Sequence, residues 1–381
     1  MANTGPVRGH LALTGLAKMF YKQIIRPILF TLPAETVHDL VMFSLSLVEK
    51  SKSLNDLIFK LLNFTSPRLR QNKFGLYFRT PIGLAAGLDK KAAAPLLWSA
   101  FDFGWAELGS FTYQDHPGNT KPRLWRLIKE QGIIVHSGLP NKGAAAIAKK
   151  LASKRKRYSK RGLWSISIAK SPNVSLQQAA DDYAQSFKIL EPLADIITIN
   201  LSCPNVSDFK GLQKPTLLEP ILARLTNLNK NNKPLCLKIG NDLNHAELDG
   251  IITLVKKYHI SAVIAANLSK NRENLNLPEK FKDKPGGVSG KLISARANKI
   301  IAYLYKNSEG AFEIIGCGGI FNGQDAFNKI KAGASLLQLA TAFIFEGPAL
   351  IKKINRELDA LLQKNNFKHI SEAVGIEASQ Y

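Results

Sequence analysis

Acidic residues, cysteines and long apolar runs are all scarce in this chain of 381 residues. Its three cysteines, Cys203, Cys236 and Cys317, are too few and odd in number for a disulfide framework, so we expect thiols in a reducing compartment. No stretch approaches the roughly 20 consecutive apolar residues that a membrane-spanning helix needs. These absences argue against a secreted disulfide scaffold and against an integral membrane protein.

The shortage of acid leaves the chain strongly basic, with 52 Lys and Arg against 29 Asp and Glu and a net charge of +23. Such an excess suits an anionic partner, either nucleic acid, an anionic membrane or an acidic substrate. The segment 149–161 (KKLASKRKRYSKR) is the densest basic run, and charge runs are usually solvated faces. Nucleic-acid binding would need interleaved aromatic residues, and only Tyr158 is present, so we expect no nucleic-acid partner.

The N-terminal part, residues 1–70, is predicted to be a separate helical unit. The first acidic residue is Glu35, and an acid-free start is typical of a transit peptide or of a basic amphipathic surface anchor, of which we favour the anchor. Apolar residues recur at helical spacing over 21–29, where Pro27 should break or kink the helix, and again over 35–50. The unit is either a helical hairpin packed on a larger domain or a pair of apolar faces that lie on a bilayer or frame an apolar tunnel.

Residues 71–381 alternate short apolar runs with helical patterns, which indicates the α/β class. Near-continuous apolar runs are typical of parallel strands buried on both faces. Eight such runs are predicted strands: 82–86, 105–109, 163–169, 195–201, 235–239, 261–266, 312–316 and 335–339. Helical patterns fall at 177–190, 216–229, 246–258, 292–306 and 323–331. Eight such units predict a (β/α)8 TIM barrel, with a doubly wound open sheet as the alternative and short strands near 123–135 as a loop insertion.

Polar residues gather where the predicted strands end, which in a barrel is the active-site face. Lys90 follows the first strand, Asn200 and Cys203 lie at the end of the fourth, and Asn267 follows the sixth. Lys238 lies within the fifth strand, where a buried lysine is costly unless an anion pairs with it. Polar groups from four strands at one barrel mouth predict a binding site.

Glycines near the last two strands predict a phosphate site. Residues 316–319 (GCGG) end the seventh strand before a helix, and 332–335 (AGAS) lead into the eighth. Glycine lets backbone N–H groups converge on an anion, and barrels often bind phosphate after strands seven and eight. Because no GxGxxG follows the first strand, a cofactor with a mononucleotide-sized phosphate tail is the natural inference.

Other reaction classes lack their residues. The chain has no HExxH, no CxxC pair, no GxSxG and no paired carboxylates at the strand ends. Zinc hydrolases, serine hydrolases and glycosidases are therefore disfavoured, and no metal is expected. A thiol at Cys203 beside a phosphate-tailed cofactor instead indicates redox chemistry.

Taken in order, several motifs resemble those of the dihydroorotate dehydrogenase family. They are AAGLDK (85–90), HPGNTKPRLWRL (116–127), NLSCPN (200–205), GGVSG (286–290), GCGGI (316–320) and AGASLLQLATAFIFEGP (332–348). The segment RPILFTLPAETVH (26–38) is similar to the start of the membrane-associated, quinone-reducing class 2 enzymes. The resemblance covers nearly the whole chain from about residue 20 and implies an FMN-dependent barrel that oxidises dihydroorotate to orotate in pyrimidine synthesis.

The resemblance also assigns residues to roles. Cys203 takes the position of the base that removes the C5 proton, and Lys90 lies between flavin and substrate. Lys238 stabilises negative charge on the reduced flavin, and His38 belongs to the quinone tunnel. The implied cofactor-binding residues are Ala86, Gly87, Lys90, Ser110, Ser167, Asn200, Lys238, Gly290, Gly318, Gly319 and Thr341. The implied substrate-binding residues are Asn200, Asn205 and Asn267.

The chain departs from the family pattern on the substrate side. Class 2 members usually have serine as the base, whereas Cys203 is typical of class 1. Polar family positions are occupied here by Val135, Ser167, Ala266, Leu268 and Ala340. A related flavin oxidoreductase with another small cyclic or unsaturated substrate is therefore the second hypothesis, and a non-enzymatic, basic nucleic-acid binder is the third.

A class 2-like protein would be peripheral on the inner, cytoplasmic membrane, or on the mitochondrial inner membrane in a eukaryote. Its expected partners are a small-molecule substrate, a quinone and an anionic membrane surface, to which a basic protein is attracted.

Overall fold

The fold comes from a computed structural model that describes residues 19–157, 162–202 and 209–381. Cys203 and Asn205, the end of the basic run at 158–161 and the first 18 residues lie outside the described residues. Among the described residues, no helix is both long enough and apolar enough to cross a membrane.

Eight parallel strands close into a barrel, so the predicted (β/α)8 TIM barrel is confirmed and the open sheet is wrong. In spatial order they are β10 (Ala262–Ala265), β12 (Glu313–Cys317), β13 (Leu336–Leu339), β3 (Ile82–Leu84), β4 (Trp105–Phe111), β7 (Leu163–Ile168), β8 (Ile196–Asn200) and β9 (Leu235–Lys238). Each of the eight predicted apolar runs overlaps one of these strands: six contain their strand, while β4 extends two residues and β12 one residue beyond the predicted end. Strands buried on both faces are mostly apolar, which is why runs of apolar residues located them.

Helices follow the strands and pack around the barrel. They are α4 (Gly143–Arg157), α5 (Ala179–Leu190), α6 (Pro215–Leu228), α7 (His245–Lys257), α8 (Glu279–Lys282), α9 (Ser294–Ser308), α10 (Gly323–Ala332), α11 (Thr341–Glu346) and α12 (Leu350–Lys364). Local sequence sets several of their starts. Asn244 and Glu247 form a capping box at α7, and the Asn322 side chain accepts from the Asp325 N–H at α10.

Two small sheets cover the ends of the barrel. The predicted insertion forms β5 (Leu124–Leu127) and β6 (Gly132–Val135), which pair antiparallel with each other and with β11 (Gly287–Gly290). A hairpin of β1 (Gln71–Lys73) and β2 (Leu76–Phe78) covers the opposite end, where the rings of Phe78 and Trp105 meet edge to face at 5.2 Å.

The N-terminal helices lie across the mouth of the barrel. A π-helical turn at Tyr21–Ile25 continues into α1 (Arg26–Thr31), followed by α2 (Ala34–Val48) and α3 (Lys52–Leu62). Pro27 is the second residue of α1, inside a helical run that continues from the π-helical turn, so it does not end the helix. Because it has no N–H to donate, the i→i−4 hydrogen bond is missing at this position, next to the change from π- to α-helix. The Lys22 ammonium is 2.7 Å from Glu346, and the Tyr21 hydroxyl donates to the Ile344 carbonyl at 2.6 Å. These contacts hold the segment against α11.

Candidate active site

The main cavity of the described chain has a volume of about 450 Å³ and opens at the C-terminal ends of the barrel strands. Barrel residues Ala86, Gly87, Lys90, Ser110, Asn200, Lys238, Asn267 and Thr341 line one end. The other end lies under the N-terminal helices and is lined by Tyr21, Ile25, Leu29, Phe30, Val37, His38, Val41, Met42 and Leu45. The cavity therefore joins a polar site to an apolar passage.

A buried network of amides and hydroxyls forms the polar wall. Asn200 donates to the Ser110 hydroxyl at 2.8 Å, and the Ser110 and Ser167 hydroxyls are 2.7 Å apart. The Asn267 amide donates to the Ser202 carbonyl and hydroxyl, both at 3.0 Å. These residues end β4, β7, β8 and β10, so barrel closure brings together groups that lie far apart in sequence. A satisfied network of this kind holds its amides rigidly.

Lys238 lies inside the barrel with an acidic partner. Its ammonium is 3.2 Å from Glu107, which is fully buried, and Glu107 also accepts from the Gln338 amide at 2.5 Å. Burial alone lowers the pKa of Lys238, but the Glu107 carboxylate and the Cys317 sulfur outweigh burial and hold that pKa above its ordinary value. Lys238 thus presents a stable positive charge to the cavity.

Lys90 supplies a second cation and is held by a rigid turn. The buried Asp89 carboxylate accepts from the Ala93 and Ala94 N–H groups and from the Trp98 indole, at 2.6 to 3.1 Å. Lys90 itself donates to the Ser137 hydroxyl at 3.0 Å. Burial, together with repulsion by Arg123, lowers the pKa of Lys90 to about 8. Its charge therefore changes near physiological pH.

Arg123 ties the N-terminal helices α1 to α3, which we call the helical cover, to the barrel loops. Its guanidinium donates twice to Glu35 on α2, at 2.7 and 3.0 Å, and to the carbonyls of Pro117, Asn119 and Ser137 at 2.8 to 3.3 Å. Because Ser137 also accepts from Lys90, this clip connects the cover to the polar end of the cavity. Sequence patterns did not single out Arg123, Ser137 or Glu107.

His38 faces the apolar passage from α2. Burial, reinforced by the charge of Lys90, lowers the pKa of His38 to about 4. The imidazole is therefore neutral at physiological pH, and it can give or accept a hydrogen bond without bringing charge into an apolar space.

A smaller cavity, lined by Gly318, Gly319 and Thr341, adjoins the first between the ends of β12 and β13. Gly318 and Gly319 have φ of +100° and +74°, and a Cβ on Gly319 would lie 2.5 Å from that of Ser294. Gly290, at φ +98°, passes so close to the Gln131 carbonyl that a Cβ there would lie 2.3 Å from it. The predicted GCGG segment thus forms a tight backbone cradle of the kind that binds phosphate.

The prediction that residues 332–335 form part of the phosphate site is wrong. Residues 332–335 precede β13 and lie at its N-terminal end, opposite the mouth. There Gly333, at φ +125°, makes room for the Tyr305 side chain: a Cβ on Gly333 would lie 2.4 Å from the Tyr305 Cβ and 2.5 Å from the first ring atom. This glycine serves helix packing, and the cradle instead uses the other end of the strand, at Ala340 and Thr341.

Comparison with known proteins places this geometry in a family. Residues 68–362 match the family model for dihydroorotate dehydrogenase. A protein named dihydroorotate dehydrogenase (quinone) from Trichodesmium erythraeum is 38% identical over 371 residues, covering 93% of this chain and 98% of that protein. One of the same name from Crocosphaera subtropica is 42% identical over 320 residues, covering 82% and 84%.

Two solved structures have a similar fold. The ligand-free DHODH of Eimeria tenella superimposes with a TM-score of 0.81 at 29% identity, covering 90% of this chain and 99% of that one. The complex of the same organism's enzyme with ferulenol gives a TM-score of 0.79 at 28% identity, covering 92% and 98%. With its closed barrel, its polar strand ends and these relatives, the chain belongs to the dihydroorotate dehydrogenase family and is an oxidoreductase similar to the quinone-dependent members.

Proposed function

We propose that this protein oxidises dihydroorotate to orotate, with FMN as its cofactor and a membrane quinone as the electron acceptor, in pyrimidine synthesis. One observation carries the proposal: a single cavity joins the cationic, amide-lined strand ends to an apolar passage under the N-terminal helices. A planar, charged substrate suits the first end, and an isoprenoid quinone suits the second.

The residues fit FMN. The glycine cradle leaves room for a phosphate, and a Cβ on Gly87, at φ +104°, would meet nothing within 4 Å. Ser110 and Asn200 present polar atoms along the wall, and Ser167 lies behind Ser110, with its hydroxyl 2.7 Å from that of Ser110. The Ser289 and Thr341 hydroxyls, 2.6 Å apart, flank the phosphate end. Bound here, FMN would accept a hydride from the substrate and release its electrons to the quinone.

The protein's own groups prepare the substrate. Lys90 and the amides of Asn200 and Asn267 would hold the ring and carboxylate of dihydroorotate, while Lys238 supplies the charge that offsets a reduced flavin. Cys203 is our candidate for the base that takes the C5 proton, and Asn205 for a further substrate contact. Both assignments rest on the NLSCPN motif.

The N-terminal helices are our candidate for the membrane contact. Of the eighteen exposed large hydrophobic side chains among the described residues, twelve lie between residues 19 and 61. The most exposed are Ile28 and Phe43, at 62% each. An apolar helical face on a protein of net charge +23 suits peripheral binding to anionic lipid, at the cytoplasmic face of an inner membrane or at the mitochondrial inner membrane in a eukaryote.

A second candidate is the same flavin chemistry on another small cyclic or unsaturated substrate. Val135 and Leu268 line the main cavity, and Ala266 lines the smaller one, so apolar atoms lie where a more polar substrate would want hydrogen bonds. A buried polar group left without a partner costs about 1–3 kcal/mol. The cavity therefore tolerates a less polar ring than dihydroorotate.

Anaerobic titration of the purified protein with dihydroorotate, followed by the visible absorption of the flavin, tests both candidates. We expect rapid bleaching. Cys203→Ala should bind FMN and bleach slowly, whereas Cys236→Ala, which removes a buried thiol from the barrel interior, should bleach at the wild-type rate. A yellow protein that never bleaches would favour the second candidate, and a colourless one that cannot be reconstituted with FMN would refute both.

A further inference from the structure

Glu107 is a charged side chain in the middle of the barrel that the reaction above does not use. It lies on β4 and has no exposed surface. An ionised carboxylate is very costly in such a place unless it is paired and hydrogen-bonded. Its partners therefore indicate what it does.

The carboxylate is held from two sides by strands that are not its neighbours. Gln338 on β13 donates to Oε2 at 2.5 Å, and Lys238 on β9 approaches Oε1 at 3.2 Å. The nearest strands to β4 in the sheet are β3 and β7, so both contacts cross the barrel interior. Gln338 fixes the carboxylate, and the carboxylate in turn fixes the lysine.

Lys238 lies where the main and the smaller cavities meet, because it lines both. The titratable groups that act on it are Glu107 from β4 and Cys317 from β12, while the adjoining strands contribute the neutral Asn200 and Ile264. Glu107 is the one carboxylate among these groups. Removing it would leave burial as the dominant influence on the lysine and would favour the neutral amine.

We propose that Glu107 is a positioning residue for the flavin reaction: anchored by Gln338, it keeps Lys238 charged and directed at the flavin site before any electron arrives. The inference rests on the proposed function, since it requires a flavin in this cavity. Its consequence is that two-electron reduction takes up one proton in the wild-type protein, because Lys238 already carries its own.

The test is the flavin reduction potential of the holoenzyme, measured against reference dyes from pH 6 to 9. One proton per two electrons gives a slope of about 30 mV per pH unit. In Glu107→Gln, Lys238 is neutral in the oxidised protein and takes up a second proton on reduction. We therefore expect the slope of this variant to be twice that of wild type over part of the range. Glu107→Asp keeps the charge and should restore the one-proton slope.

Glu309→Gln is the matched control, because it removes one negative charge from the exposed pair with Lys256, 2.8 Å away. It should leave both the slope and the potential unchanged. A yellow Glu107→Gln protein with the wild-type potential and slope would overturn the role of Glu107 alone. If Glu107→Gln does not fold, a two-proton slope in the wild-type protein overturns it equally. A wild-type protein that holds no flavin would overturn this inference together with the proposed function.

Discussion

The Arg123 clip makes the strongest prediction about how the helical cover and the barrel depend on each other. We consider Arg123→Met, which keeps an apolar stem of similar length and removes all five hydrogen bonds. Its side chain is 8% exposed and that of Glu35 is 17% exposed. The substitution leaves the largely buried Glu35 carboxylate with Lys121, 3.5 Å away, as its remaining cation, and it removes one donor from each of three carbonyl groups.

Breaking a buried ion pair from one side costs about 3–5 kcal/mol, because the remaining charge keeps its desolvation penalty. Water reaches part of Glu35 and Lys121 remains beside it, so we expect the lower end, a loss of about 3 kcal/mol in the free energy of unfolding. A control, Lys256→Met at the exposed pair with Glu309, should leave the free energy of unfolding nearly unchanged.

Denaturant unfolding measures the loss, and two activity assays locate its effect. The clip holds α2 over the cavity, so quinone-dependent turnover should fall more than reduction of a soluble dye, which does not need the passage. In a double-mutant cycle, adding Glu35→Gln to Arg123→Met should lower the free energy of unfolding little further than Arg123→Met alone. If the free energy of unfolding of Arg123→Met lay within about 1 kcal/mol of wild type, and its ratio of quinone to dye turnover were unchanged, the reasoning would be refuted.

Three further predictions follow from the site and its cover. Burial lowers the pKa of Lys90 to about 8, so its charge is lost above that pH; the KM for anionic dihydroorotate should rise there, and Lys90→Met should abolish the pH dependence. Gly319→Ala should weaken FMN binding at least tenfold by fluorescence titration, whereas Gly310→Ala, at the similar φ of +75° but with open space around its Cβ, should not. Phe43→Asp should reduce sedimentation with anionic vesicles. Tyr77→Asp should have no effect, because Tyr77 is a comparably exposed aromatic residue on the hairpin at the far end of the barrel.

The strand positions were predictable because the requirement behind them is local. A strand covered on both faces is mostly apolar, and each predicted run overlaps a barrel strand. Lys90, Asn200, Lys238 and Asn267 were predicted to meet because all follow or end such strands, and all four line the main cavity. Glu107 was missed although the same argument applies to it, since a charged residue in a buried strand also requires a partner.

The phosphate cradle shows the difference between what a sequence pattern predicts and what the tertiary structure decides. Glycine spacing at 316–319 and 332–335 is equally suggestive in the sequence, yet the two segments lie at opposite ends of the barrel. The first leaves space for a ligand, and the second makes space for Tyr305. A glycine pattern states only that the backbone needs freedom, and its surroundings decide the reason.

The sequence by itself determined the barrel, its strand ends and the family resemblance, because periodicity, turn residues and ordered motifs are properties of neighbouring residues. Only the tertiary structure decided which charges meet. Lys238 and Glu107 are separated by 131 positions, and Arg123 and Glu35 by 88. Barrel closure and the docking of α2 set those distances, and the free energy of a buried charge depends on them far more than on its neighbours in the chain.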